Sequence, residues 1–177
     1  SQTRTINETT DYPVLRSGNP MFDALYSLSV EEVIQNSVAQ VQDGSFNQGQ
    51  PIDCMPGGCF QTGRLWKYVW TRDIAYATDL ALASLDPIRA RNSLLFKLSP
   101  RRDGTDEQIV QDTGTGGSWP ISTDRVTWIR GAMAVLKYTD HPELREATIE
   151  AIRNTADLDR RYVFDPTDGL YFGETSF

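Results

Sequence analysis

The stretch Tyr68–Leu85, YVWTRDIAYATDLALASL, decides how the chain is read. From Asp73 to Leu85 it is apolar nearly all round the helical wheel. A helix with no polar face belongs inside a fold rather than on its surface. At the mouth of that helix stand an arginine and an aspartate, Arg72 and Asp73, directly behind Trp70. Asp73 suits a first helical turn, where the backbone dipole favours a negative charge. The pair therefore reads as a cap with its counterion or as the polar grip of a binding site.

The rest of the chain is organised around similar segments. Upstream, Met21 to Gln42 carries Val30, Val33, Ile34, Val38 and Val41 on one helical face. DGSFNQGQPIDCMPGG (43–58) then reads as an extended loop. Downstream, Asp86 is placed as an N-cap with Pro87 at the first helical position. That helix carries Leu94, Leu95 and Phe96 and is expected to end near Leu98. A second long loop runs from Ser99 to about Ser122 and contains DTGTGGSWP (112–120). Ser122, Thr123 or Asp124 caps the next helix, which carries Val126, Ile129, Met133 and Leu136. His141-Pro142-Glu143 opens another, with Leu144, Ala147, Ala151, Ile152 and Leu158 at helical spacing to about Asp159. The tail, YVFDPTDGLYFGETSF, reads as two short extended pieces around an Asp-Pro-Thr-Asp-Gly turn. The expected fold class is all-α: about five helices in hairpin-like pairs, with long polar loops, behind an N-terminal arm over residues 1–20.

Composition narrows the partners. The chain has 177 residues, 39% hydrophobic and 23% charged, as expected of one soluble globular domain. A net charge of -7 argues against nucleic acid, whose phosphates need clustered Lys and Arg. It argues more weakly against anionic membrane surfaces, and no apolar run reaches the length of a membrane span. The polar opening, SQTRTINETT, carries no signal peptide and reads as a mature N-terminus left after processing. Asn7-Glu8-Thr9 is a glycosylation sequon, a triplet common by chance. Two cysteines, Cys54 and Cys59, flank a Pro-Gly-Gly turn in CMPGGCF. They fit a disulfide, which points to a periplasmic or secreted protein. Metal binding is the competing reading, but His141 is the single histidine, so zinc would need carboxylates from elsewhere. No metal and no cofactor is expected.

For chemistry, the chain offers carboxylates and aromatics. There is no G-x-S-x-G elbow, and one histidine makes a Ser-His-Asp set a poor fit. GTGGS lacks the lysine ending of a phosphate loop. Trp66, Tyr68, Trp70, Trp119, Trp128, Tyr171 and Phe172 lie in or near the loop regions. Sugar rings stack on such aromatics, and glycosidic hydrolysis needs two carboxyl groups. Each residue also has a plainer role. Arg72-Asp73 can start a helix, Trp119 can pack, Asp124 can be an N-terminal charge, and Glu174 can be a solvated loop residue.

The order of three segments shifts this balance. VWTRDIAYATDLAL, GTGGSWPISTDRVTWIRGA and DGLYFGETSF together resemble the glucoamylase-like six-hairpin (α/α)6-barrel glycoside hydrolases, over about residues 64–177. The resemblance implies a partial (α/α)6 toroid of helical hairpins, with residues 21–177 forming the N-terminal part of a barrel domain. Arg72 and Asp73 would hold sugar hydroxyls, Trp70 and Trp119 would line the pocket, and Asp124 would be a further pocket or helix-start residue. Glu174 would be the general acid of an inverting hydrolysis, with the catalytic base outside this chain, so that the chain alone would be inactive. The partners would be a carbohydrate and either the missing C-terminal half of the barrel or a second copy. Two alternatives stand beside it. One is a non-catalytic carbohydrate-binding protein with a degenerate barrel. The other is a lyase or phosphorylase on an α/α toroid.

Overall fold

The structure, a computed structural model, describes residues 3, 5–100, 107–112 and 121–172. Its helices are α1 (Pro20–Gln35), α2 (Thr71–Ala77), α3 (Ala83–Leu85), α4 (Pro87–Leu95), α5 (Asp124–Tyr138) and α6 (Pro142–Tyr162). A π-helical turn over Thr78–Leu82 joins α2 and α3 into one rod, so the described residues form five rods where about five were expected.

The all-α expectation needs correction. Among the described residues, four two-stranded antiparallel ladders occupy the connections: β1 (Ser37–Val38) with β4 (Cys59–Phe60), β2 (Gln40–Val41) with β3 (Ile52–Asp53), β5 (Leu98–Pro100) with β6 (Glu107–Ile109), and β7 (Phe164–Asp165) with β8 (Leu170–Tyr171). The fold is predominantly helical with small strands, and the five described rods do not make up a toroid. Chain that links helices still has backbone donors and acceptors to satisfy, and short ladders satisfy them. The same effect shortens the first helix. It stops at Gln35, where the Asn36 backbone N–H returns to the Glu32 carbonyl. Val38 and Val41 then join strands rather than extend a helical face. Similarly, α4 ends at Leu95, before β5 begins at Leu98.

Local signals placed other ends well. Asn19 Oδ1 accepts from the Met21 and Phe22 backbone N–H groups at the start of α1. Asp86 Oδ1 accepts from the Arg89 N–H ahead of Pro87, as a cap should. Cys54 and Cys59 are disulfide-bonded, with Cα atoms 5.8 Å apart. The turn they close has Gly57 and Gly58 at φ 101° and 79°. Gly58 has no room for a side chain, because a Cβ there would lie 2.6 Å from the Val38 carbonyl oxygen. Asn92 of α4 donates to the Pro56 and Gly58 carbonyls, docking the turn on the helical body.

The core centres on α5. Trp128 is fully buried, and its Nε1–H donates to the Leu94 carbonyl at 2.8 Å. Ala132 and Val135 continue that face, meeting Ile74 and Ala75 of α2, Leu94 of α4 and Leu144 of α6 in one cluster. Trp128 is thus a core residue and not a loop aromatic. Gly131 permits the close approach of α5 to α2: a Cβ at this position would lie 3.1 Å from both the Cα and the carbonyl oxygen of Ala75. The α2–α3 rod itself is not buried all round. Ile74, Ala75, Thr78, Leu82 and Ala83 face inward, while Leu80 is 79% exposed and Tyr76 is open too. α4 and α5 cover part of the rod, and no described element covers the remaining apolar side.

The α2–α5 contact gives a direct test of this packing. Gly131→Leu should destabilise the fold by about 3 kcal/mol, since the side chain can enter only by separating the two helices. An unchanged urea midpoint would mean that Ala75 and Gly131 are not in contact.

Candidate functional site

The corner at the start of α2 is built from the inside out. Val69 and Thr71 are fully buried, which anchors the backbone on both sides of Trp70. The Thr71 backbone N–H donates to Asp112 Oδ2 at 2.6 Å. Its hydroxyl lies 2.7 Å from the same oxygen and 2.6 Å from the Val110 carbonyl, sharing one proton between two acceptors. The other oxygen of Asp112 accepts from Lys97 Nζ at 2.9 Å. Lys97 and Asp112 are 1% and 5% exposed, so this ion pair is shut away from water.

Asp124, at the first position of α5, is wholly buried. Its Oδ1 accepts from Arg72 Nε at 3.1 Å, and its Oδ2 accepts from the Asp112 backbone N–H at 2.9 Å. Arg72 Nη2 lies 3.0 Å from Asp124 Oδ1 and donates to Thr123 Oγ1 at 2.6 Å. Arg72 and Asp124, singled out separately from sequence, are therefore partners. Both plain and functional readings of Asp124 hold in part: it opens a helix, and it also holds the guanidinium. Beside it, Arg125 is buried and donates to Gln111, Gln108 and Asn154.

Asp73 is different. Its side chain is accessible and takes no side-chain hydrogen bond among the described residues. It lines a cavity of about 210 Å³ between α1 and α2, with Glu32, Asn36, Gln61 and Thr62 on the walls and Phe60 and Ile74 below. Partial desolvation pushes its carboxyl above the usual range, and the negative charges of Asp112 and Asp124 push the same way. Trp70 stands next to this corner, half-buried. Its indole N–H is buried without an acceptor among the described residues. Phe46 meets the Trp70 ring edge-on at 6.1 Å and stacks on Tyr68 at 3.8 Å. The Phe46 loop turns through two left-handed non-glycine residues, Asn47 and Gln48, at φ 47° and 56°.

Trp119 and Glu174 lie outside the described residues, so the structure relates neither to this corner. Tyr171 and Phe172, expected beside Glu174, are exposed. Among the described residues no group of three His, Cys, Asp or Glu side chains could hold a metal ion, and no helix is long and apolar enough to cross a membrane.

No protein-family model, no curated protein and no solved structure matches this chain. The corner must be read from its own chemistry.

Sequence reasoning missed Lys97, Asp112 and Arg125. One signal was available. Lys97 interrupts the apolar run Leu94-Leu95-Phe96-Lys97-Leu98, and a lysine that cannot reach water needs a carboxylate. Nothing in the sequence says that Asp112 supplies it.

The raised Asp73 carboxyl has a thermodynamic consequence. In the pH range where it titrates, Asp73 binds its proton more firmly in the folded chain than in the unfolded one. Its own contribution to stability therefore falls as pH rises from the ordinary aspartate value through the raised one. Asp73→Asn removes that loss. The variant should be more stable than the parent at neutral pH, with the difference vanishing below the ordinary aspartate range. A less stable variant at pH 7 would mean that Asp73 supports the fold rather than a ligand.

Proposed function

We propose that this chain carries the sugar-holding corner of a glycoside hydrolase of the glucoamylase-like, six-hairpin kind. The observation that carries the reading is Asp73: an accessible carboxyl without a side-chain donor among the described residues, close in the chain to Trp70, on a backbone pinned by buried ions. A carboxylate in such a place has acceptor capacity for ligand hydroxyls, and the neighbouring indole has a flat face for a sugar ring. Arg72 contributes by holding Asp124, with its guanidinium still partly open to solvent. The disulfide supports a periplasmic or secreted setting.

The wider architecture is part of the same proposal. Tyr76 and Leu80 on the α2–α3 rod and Val126 and Met133 on α5 are exposed apolar residues, and Asp79 pairs with Arg130 across the two rods at 2.6 Å. Uncovered apolar rows on neighbouring helices support a place for them within a larger helical toroid, where more helices would pack against them. Glu174 is the proposed acid, protonating the leaving oxygen while a second carboxylate activates water from the opposite face.

Calorimetric titration against α- and β-linked oligosaccharides tests the reading. Trp70→Ala and Asp73→Ala should each weaken binding by roughly tenfold or more, as loss of a stacking face or of a charged acceptor does. In the full-length protein, Glu174→Gln should abolish turnover and keep affinity. Retained turnover would remove Glu174 from the acid role. A protein that binds sugars but cleaves none would be a carbohydrate-binding module, and parental affinity in both alanine variants would sink the site itself.

A further inference from the structure

We propose that Asp112, locked by the buried Lys97 ammonium, is the positioning residue that sets Arg72 and Asp73 for the ligand. The inference rests on the reading of this corner as a carbohydrate site and adds to it the device that holds the site in shape. Asp112 touches both things that matter. Through Oδ2 it fixes the backbone and hydroxyl of Thr71, the residue immediately before Arg72. Through its own backbone N–H it fixes Asp124 Oδ2, while Asp124 Oδ1 takes Arg72. Rotation of the Asp112 side chain would release the first turn of α2, and displacement of its backbone would release the guanidinium.

Lys97 prevents both. It follows α4, so its bond to Asp112 Oδ1 links the α4 end to the segment after β6. Its ammonium also lies 4.7 Å over the Tyr68 ring, two residues before Trp70. A buried pair of this kind adds little net stability over a well-packed apolar pair, because desolvating two charges offsets most of their attraction. What an apolar pair cannot do is accept from Thr71 and hold one fixed orientation. The pair therefore serves geometry more than stability.

Asp112 also acts on Asp73 by charge. The charged groups around Asp73 are Arg72, Asp112 and Asp124, with Glu32 of α1 across the cavity. Position and charge can be separated by two double variants that each remove the ion pair as a unit, so that no lone charge stays buried. Lys97→Met with Asp112→Leu deletes the acceptor for Thr71. Lys97→Met with Asp112→Asn keeps an acceptor oxygen for Thr71 and deletes both charges of the pair, of which only the Asp112 carboxylate bears on Asp73.

The leucine pair should lose roughly tenfold or more in oligosaccharide affinity and melt below the parent, because the buried Thr71 N–H loses its acceptor. The asparagine pair should recover most of that affinity. In ligand-free protein it should also titrate its Asp73 carboxyl carbon at lower pH than the parent by NMR. A folded leucine pair with parental affinity would overturn the proposal. So would an asparagine pair whose Asp73 titration does not move, a result readable even if the leucine pair fails to fold. If the parent binds no oligosaccharide, the carbohydrate reading fails, and the ligand-free titration alone decides whether Asp112 controls Asp73.

Discussion

Asp124 is a carboxylate with no contact with water, and the arrangement of the molecule around it follows from that. A buried charge is tolerated only when its lone pairs are taken up. One oxygen takes Arg72 from the start of α2, and the other takes the Asp112 backbone after β6. Because Asp124 opens α5, the central helix of the core, these bonds tie two separate segments to that helix. The second ion pair, Lys97–Asp112, extends the same tie to α4. The start of α2 is thus held at several points, while the Asp73 carboxyl, beyond a bond from its own backbone N–H, takes no side-chain donor among the described residues. Firm backbone under an accessible polar group is what a binding corner requires, since affinity grows when geometry is fixed before the ligand arrives.

Much of the helical frame was legible. Capping chemistry is local, and Asp86-Pro87 and His141-Pro142 start α4 and α6 as the sequence implies. Apolar spacing found the rods, and the Pro-Gly-Gly turn between Cys54 and Cys59 found the disulfide. Failures came where a segment's fate depends on distant partners. Val38 and Val41 fit a helical period equally well, but pairing with residues 59 and 52 makes them strand residues. Leu80 sits in an apolar helix and is exposed because no described element covers that side.

The site was half legible for the same reason. Arg72, Asp73 and Asp124 carry chemistry in their identities. Their division of labour depends on a fold that brings residues 72 and 124 within hydrogen-bonding distance and leaves 73 outside. Asp112 and Lys97 are separated from Arg72 and Asp73 by tens of residues, and the packing of α4 against α2 and of β6 against α5 brings them there. The two networks also explain the electrostatic asymmetry. Asp112 and Asp124 are each matched to a cation, whereas Asp73 feels their charge together with partial burial and is raised.

The central claim is that ligands meet the chain at Trp70 and Asp73. The indole N–H resonances of Trp70 and Trp128 report on it side by side, because Trp128 is sealed in the core and donates to Leu94. During an oligosaccharide titration the Trp70 signal should shift and saturate while the Trp128 signal stays in place. A stationary Trp70 signal under saturating ligand would contradict the account.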